Sequence, residues 1–308
     1  MDKISRAIER IETELTAVKL LRDEPMKKHT SFSIGGNVRA LCIPAGAPEL
    51  AKLCEILREF GLTPLIIGNG SNLLVDDRPL DLIAIKTTGL CDIAMLGESE
   101  IIAASGVTLA KAAMFALENE LTGFEFAHGI PGTLGGAIAM NAGAYGGEMK
   151  DVIRATSVFN VSKGMFTIEN EEHEFTYRGS RFTKQDSESV IISTIISLRK
   201  GYGEIIKAAM EELIARRNES QPLDFQSAGS TFKRPAEGYA AEYIEKAGLK
   251  GFSVGGASVS EKHSGFIINR GNAAFSDVMA VIGHVSQTVY KKFGVELETE
   301  IKIIRAGR

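Results

Sequence analysis

The chain has 308 residues, 44% of them hydrophobic and 24% charged, enough to bury a core and to form more than one domain. Its net charge of -4, with acidic and basic residues interspersed, leaves no basic stripe for a nucleic-acid backbone. No apolar run reaches the roughly 18 residues of a membrane span, and the opening MDKISRAIERIETEL reads as a charged amphipathic helix and not a signal peptide, so a cytoplasmic protein without a membrane partner is expected.

Ile4, Ile8, Ile11, Leu15 and Val18 recur at helical spacing and predict an N-terminal helix with one apolar face. VRALCIP then reads as a strand, APELAKLCEILREFG as a helix with Pro48 in its first turn and Gly61 at its end, and TPLIIG as the next strand, a βαβ unit. DLIAIKT and DIAMLGESEIIAASGV predict further strands, and TLAKAAMFALENEL a helix capped by Thr108. VIRATSVFNVSKGMFTIENEEHEFTYR predicts antiparallel strands, and VIISTIISLRKG closes this half near Lys200. A polar helix from about Tyr202 to Asn218 leads into the turn-rich QPLDFQSAGSTFKRP. The last part alternates a helix (GYAAEYIEKAG), a strand (GFIINRG), a helix (FSDVMAVIGHVSQTVYKKFG) and a strand (LETEIKIIR), so the class is α+β. Three cysteines, Cys42, Cys54 and Cys91, have no CxxC spacing and read as small buried hydrophobes. The histidines His29, His128, His173, His263 and His284 lack metal-ligand spacing, so no metal is expected.

Two glycine-rich stretches stand apart from this pattern. LIIGNGSNLLV leaves a strand and turns at Gly68 and Gly70, with Asn69, Ser71 and Asn72 between and after them, a geometry that frees backbone amides to surround an anion. It is not a dinucleotide fingerprint: Leu73 stands where the third glycine belongs, and Leu74 and Val75 continue an extended pattern. The second stretch, residues 129–148, holds Gly129, Gly132, Thr133, Gly135 and Gly136 and then Asn141, Ala142 and Gly143, and predicts another run of exposed amides. A tight structural loop, two phosphate-sized or planar ligands, and one long dinucleotide all suit the residues.

HTSFSIGG, GNGSNLL, GIPGTLGGAIAMNAGAYGGE, YRGSRF, QPLDFQSAGSTFKRP, AGLKGFSVGGASVSEKHSGFIIN and GVELETEIKII, in this order and spacing, resemble the UDP-N-acetylenolpyruvoylglucosamine reductase family of peptidoglycan synthesis, from about residue 25 to the end. The short distance from Ser230 to Glu300 matches the shorter type, which lacks a tyrosine-bearing insertion. The resemblance implies a two-part FAD-binding domain of the vanillyl-alcohol-oxidase (PCMH) type, at 1–90 and 91–202, and a C-terminal α/β substrate-binding domain at 203–308 whose terminal strand, about 298–308, returns to the FAD domain. It implies noncovalent FAD held by the two glycine-rich stretches, NADPH as cosubstrate, and the enolpyruvyl ether of UDP-N-acetylglucosamine as substrate, in a cytoplasmic monomer serving cell-wall biogenesis and cell division.

By the same resemblance Ser230 donates a proton, Arg178 steadies the substrate carboxylate and enolate, and Glu300 completes the site, while Tyr177, Arg217 and Lys233 contact substrate. Two positions depart from the pattern: Ser220 stands where many members carry a basic residue before QP, and Arg305 follows the final isoleucines where relatives often have glycine. Another FAD oxidoreductase on the same scaffold and a nucleotide-sugar-binding module without redox chemistry are the competing readings.

Overall fold

The computed structural model describes residues 2–184 and 189–307. The chain divides into two compact units, the first of residues 1–22, 39–69 and 82–216 and the second of residues 23–38, 70–81 and 217–308. Helices and strands are mixed throughout, as the α+β class requires.

In the first unit the helix Lys3–Glu14 begins at Asp2, whose carboxylate accepts from the Ser5 amide at 2.8 Å. It buries Ile4, Ala7, Ile8 and Ile11, the predicted stripe, but ends before Leu15 and Val18. These side chains share a core with Leu50, Leu53, Ile56 and Leu57 of the helix Ala47–Glu59 and with Ile83 and Ile85. The predicted βαβ unit is present, with one addition: in the four-stranded sheet the strand Leu80–Lys86 lies between Asn37–Ile43 and Leu65–Ile67. The second sheet is antiparallel throughout, in the order Gly164–Glu169, Ile153–Asn160, Ser189–Ser197, Glu100–Ala104, Ile93–Met95. Its strand Ser189–Ser197 is buried over most of its length because both faces are covered: Val190 and Ile192 enter the core just described, and Ile191 enters a second one with Leu109, Leu134 and Ile138. Thr108 caps the helix Leu109–Glu118 through the Lys111 amide, as its position predicts.

The second unit packs the helix Phe275–Phe293 against an antiparallel sheet of Gln226–Ser230, Phe266–Asn269, Ala257–Val259 and Ser253–Val254. Val278, Val281, Val285 and Val289 are buried at helical spacing, and Gly294 ends the helix at φ +70°. Phe32, Ile34 and Leu74 join this core. The terminal strand is shorter than LETEIKIIR predicts: Lys302–Ile304 pairs in parallel with Leu73–Val75, and Thr299 before it makes a single antiparallel bridge to Phe232.

Cys42 and Cys54 are buried, with burial pushing both thiols up to about 12, whereas Cys91 is exposed and corrects the reading of all three as core residues. Among the described residues no helix is long and apolar enough to cross a membrane, and no group of three metal-ligating side chains is assembled.

Candidate active site

The two glycine-rich stretches meet inside the first unit. A Cβ on Gly68 would lie 2.1 Å from Thr133 Oγ1, so only glycine fits there. Gly135 is held the same way: its amide donates to the Ser105 carbonyl at 2.8 Å, and a Cβ would come within 2.9 Å of Ser105 Cβ. The second stretch is not the continuous run of exposed amides that its composition predicts. Residues Leu134–Met140 form a helix, Thr133 and Gly135 are buried, and Asn141 ends the helix in the left-handed region at φ +43°. Gly136 alone of this pair faces outward, with nothing nearer to an added Cβ than Thr133 Oγ1 at 3.5 Å. Gly129 and Gly132 precede the helix, where the Gly132 carbonyl accepts from the Leu109 amide at 3.0 Å.

Three polar atoms along these segments, Thr133 Oγ1, Ser105 Oγ and His128 Nδ1, are buried without a hydrogen-bond partner. Thr133 even stands at the cap position of the helix without making a cap bond. An unsatisfied buried hydroxyl costs about 1–3 kcal/mol, so orphaned hydroxyls on facing segments mark a place for a polar ligand. FAD suits them, since hydroxyls pair with either donors or acceptors and its pyrophosphate and ribityl chain offer both.

Arg178 belongs to the same unit. Thr176 and Gly179 exchange backbone hydrogen bonds at 2.9 and 3.2 Å, leaving Tyr177 and Arg178 as the tip of a tight turn. Arg178 sits at φ +55°, a left-handed conformation costly for a long side chain. Its Nη2 donates to the Gly143 carbonyl at 3.1 Å, its guanidinium lies 5.1 Å from the Tyr177 ring centre, and Tyr177 itself is exposed. Asn141 Nδ2 fastens this turn by donating to the Thr176 carbonyl at 3.0 Å and to Glu148 Oε2 at 2.9 Å. Burial works to raise the Glu148 carboxyl, but the Lys150 ammonium, the Asn141 amide and the Arg178 guanidinium bring it below the usual carboxylate range.

Ser230 and Glu300 belong to the second unit. Ser230 ends its strand opposite Phe266, after a register shift and Gly229 at φ +81°. The chain then continues beside the terminal segment: the Glu300 amide donates to the Thr231 carbonyl at 2.8 Å, and the Lys233 amide to that of Glu298 at 2.8 Å. Ser230 and Glu300 thus lie on neighbouring segments, both half-buried. The Lys233 ammonium is paired with Glu298 Oε1 at 2.5 Å. Asn72 Nδ2 donates to the Glu300 carbonyl at 3.2 Å, which ties the end of the first glycine-rich turn to this segment, and Gly70 at φ +64° passes so close to the His29 carbonyl that a Cβ would lie 2.1 Å from it. Arg217 is in the last turn of the helix Gly203–Ser220.

Sequence reasoning missed Ser105, Glu148 and His173. Glu148 closes the quoted glycine-rich stretch and is legible there as its one carboxylate; Ser105 and His173 stand in no motif, since Ser105 meets Gly135 and His173 meets Thr156 only through the fold.

A family model described as the C-terminal domain of UDP-N-acetylenolpyruvoylglucosamine reductase matches residues 221–304, and an FAD binding domain model matches residues 38–168. The UDP-N-acetylenolpyruvoylglucosamine reductase of Caldanaerobacter subterraneus subsp. tengcongensis is 50% identical over 297 residues, 96% of this chain and 97% of that one. The enzyme of the same name from Clostridioides difficile is 43% identical over 92% of each chain. Among solved structures, the UDP-N-acetylenolpyruvylglucosamine reductase of Thermus caldophilus superposes with a TM-score of 0.79 at 30% identity, over 93% of this chain and 98% of that one. A glucose oxidase variant of Phl p 4 shares the fold alone, at 11% identity and a TM-score of 0.50, over 66% of this chain and 45% of that one.

Proposed function

The chain belongs to the UDP-N-acetylenolpyruvoylglucosamine reductase family, and we propose that it reduces the enolpyruvyl ether of UDP-N-acetylglucosamine to the lactyl ether with NADPH as the hydride source. FAD, when bound, would supply hydride transfer between NADPH and the terminal alkene carbon of the substrate. Gly68, Asn69, Gly70, Ser71 and Asn72 with Gly129, Gly132, Thr133, Gly135, Gly136, Asn141, Ala142 and Gly143 hold it noncovalently, joined by Ser105 and His128. The observation that carries this reading is the pair of buried, unpartnered hydroxyls of Thr133 and Ser105 where the two glycine-rich stretches meet.

Hydride arrival leaves negative charge on the substrate's inner carbon and carboxylate. Arg178 supplies a fixed cation for that charge, and the strained turn keeps its side chain from relaxing as charge develops. Ser230 Oγ delivers the proton that completes the lactyl ether, and Glu300 orients the reacting end. A serine hydroxyl is a weak acid in water but suffices against an enolate carbon when it is placed within hydrogen-bond reach. Tyr177, Arg217 and Lys233 are assigned to substrate contacts. The functional division follows residues 1–90, 91–202 and 203–308, and the working form is a cytoplasmic monomer.

The test is product identity. Incubation with NADPH and the enolpyruvyl nucleotide sugar in deuterium oxide should give a lactyl ether with one deuterium at the inner carbon, and unchanged substrate beside oxidised NADPH would refute the assignment.

A further inference from the structure

His173 plays no part in the scheme above, yet it is completely buried and fully bonded. Its Nδ1 lies 2.9 Å from the Glu169 carbonyl and 3.2 Å from the Asn170 carbonyl. Carbonyl oxygens only accept, so Nδ1 carries the hydrogen, and in the neutral ring Nε2 accepts from the Thr156 hydroxyl at 2.7 Å. The Thr156 hydroxyl, its one hydrogen given to Nε2, accepts at 3.1 Å from that of Thr194, whose single hydrogen is shared with the Ala155 carbonyl at 2.9 Å. This chain of bonds roots the imidazole in two central strands of the antiparallel sheet.

The faces of the same ring hold both ends of the segment that carries Arg178. Phe175, just before the turn, stacks on it at 4.7 Å and 6°, and Phe182, just after, meets it edge-on at 6.2 Å. Glu174, directly before Phe175, and Arg178, between the two rings, both occupy the left-handed region, at φ +51° and +55°, and Ser180 Oγ donates to the Ala139 carbonyl at 2.8 Å. A segment with two such strained residues keeps its shape only where its ends are fixed.

We propose that His173 is a positioning residue for the reduction: it clamps the base of the Arg178 turn and thereby sets where the guanidinium meets the substrate carboxylate. The inference rests on the role assigned to Arg178. It acts on the half-reaction that consumes substrate, and flavin reduction by NADPH is independent of it.

His173→Phe keeps the ring contacts and removes the bonds to the two carbonyls and to Thr156. Stopped-flow reoxidation by the enolpyruvyl substrate should slow by about 10- to 100-fold, because a displacement of roughly 1 Å costs on the order of 100-fold, while reduction by NADPH stays near the parent rate. Affinity for the lactyl product, measured by calorimetry on the oxidised holoenzyme, should fall with it. His173→Gln, which retains a donor and an acceptor, should recover part of both. Thr156→Val, which removes only the Nε2 partner, should show the same pattern more weakly and serves if His173→Phe does not fold.

In an Arg178→Ala background the His173 substitution should change reoxidation by less than about 2-fold, since coupled residues are not additive. Independent, multiplying effects would overturn the inference, as would parent reoxidation in His173→Phe or equal slowing of both half-reactions. Arg178→Ala alone reoxidising at the parent rate would instead remove the role of Arg178 itself, a failure distinguishable without any His173 variant.

Discussion

Replacing Gly136 by alanine separates a cofactor wall from a packing requirement. Valine at Gly68 or Gly135 would not, because a Cβ there strikes Thr133 or Ser105 and any loss of FAD would report a distorted helix. At Gly136 the added methyl meets only Thr133 Oγ1 at 3.5 Å, ordinary van der Waals contact. The residue is exposed and helical, and alanine is favoured over glycine in a helix by about 0.5–1 kcal/mol, less near a terminus. The FAD-free protein should therefore gain about 0.5 kcal/mol and melt about 1–2 °C higher, at roughly 2–4 °C per kcal/mol for domains of this size.

FAD binding should move the other way. A methyl intruding on a face packed against the cofactor should weaken Kd by about 10-fold or more, about 1.4 kcal/mol. The control is Gly283→Ala in the helix Phe275–Phe293, where nothing lies within 4 Å of the new Cβ, so stability should rise and FAD affinity stay unchanged. Calorimetric melting of the FAD-free protein and titration by flavin fluorescence read the two quantities. Parent FAD affinity in a stabilised Gly136→Ala protein would refute the placement of the cofactor against this helix.

Three further outcomes follow from the same structure. Ser230→Ala should leave flavin reduction by NADPH near the parent rate and slow reoxidation by substrate toward the upper end of the 100- to 10,000-fold range of a placed proton donor, with Ser230→Cys recovering part; stopped-flow measurement of both halves decides, and unimpaired reoxidation would make Ser230 a turn residue. Glu300→Gln and Arg178→Lys should likewise slow only reoxidation, by on the order of 100-fold, and equal slowing of both halves would point to altered flavin geometry. Burial holds the His173 and His263 imidazoles below the usual histidine range, against the pull of backbone carbonyls at His173, with Arg181 lowering and Glu172 raising it. The unfolded chain then binds protons that the folded chain refuses, so stability is fully present above about pH 6.5 and is lost as pH falls through the depressed folded values. Urea midpoints should fall between about pH 7.5 and 5, less steeply in His173→Phe, and a flat profile would contradict this assignment.

What could be read in advance was what is local. The helix Ala47–Glu59 announced itself through Pro48 and Gly61, the helix Leu109–Glu118 through Thr108, and the helix Phe275–Phe293 through its valines, because caps and apolar stripes are written within a few residues. The helix Leu134–Met140 is hidden by the glycines in its first turn, which lower helix propensity; Gly135 is there because Ser105 presses against it, whereas Gly136 faces outward. LETEIKIIR alternates well and predicts a longer strand than forms, because Lys302–Ile304 pairs with a strand while Thr299 makes a lone bridge. At the site, the ordered motifs gave Arg178, Ser230 and Glu300 by resemblance. Nothing in HEFTYRGSRF shows that its one histidine supports the arginine, since that support runs through Thr156, on a strand outside the segment.

Hydride passage from NADPH through FAD to an enolpyruvyl nucleotide sugar is visible in the colour of one anaerobic sample. The FAD-loaded protein should be yellow, bleach on addition of one equivalent of NADPH, and recover its absorbance when the enolpyruvyl ether of UDP-N-acetylglucosamine is added, with lactyl ether formed in equal amount. Bleaching that persists in the presence of that substrate, or a protein that binds the nucleotide sugar but takes up no FAD, would contradict the account.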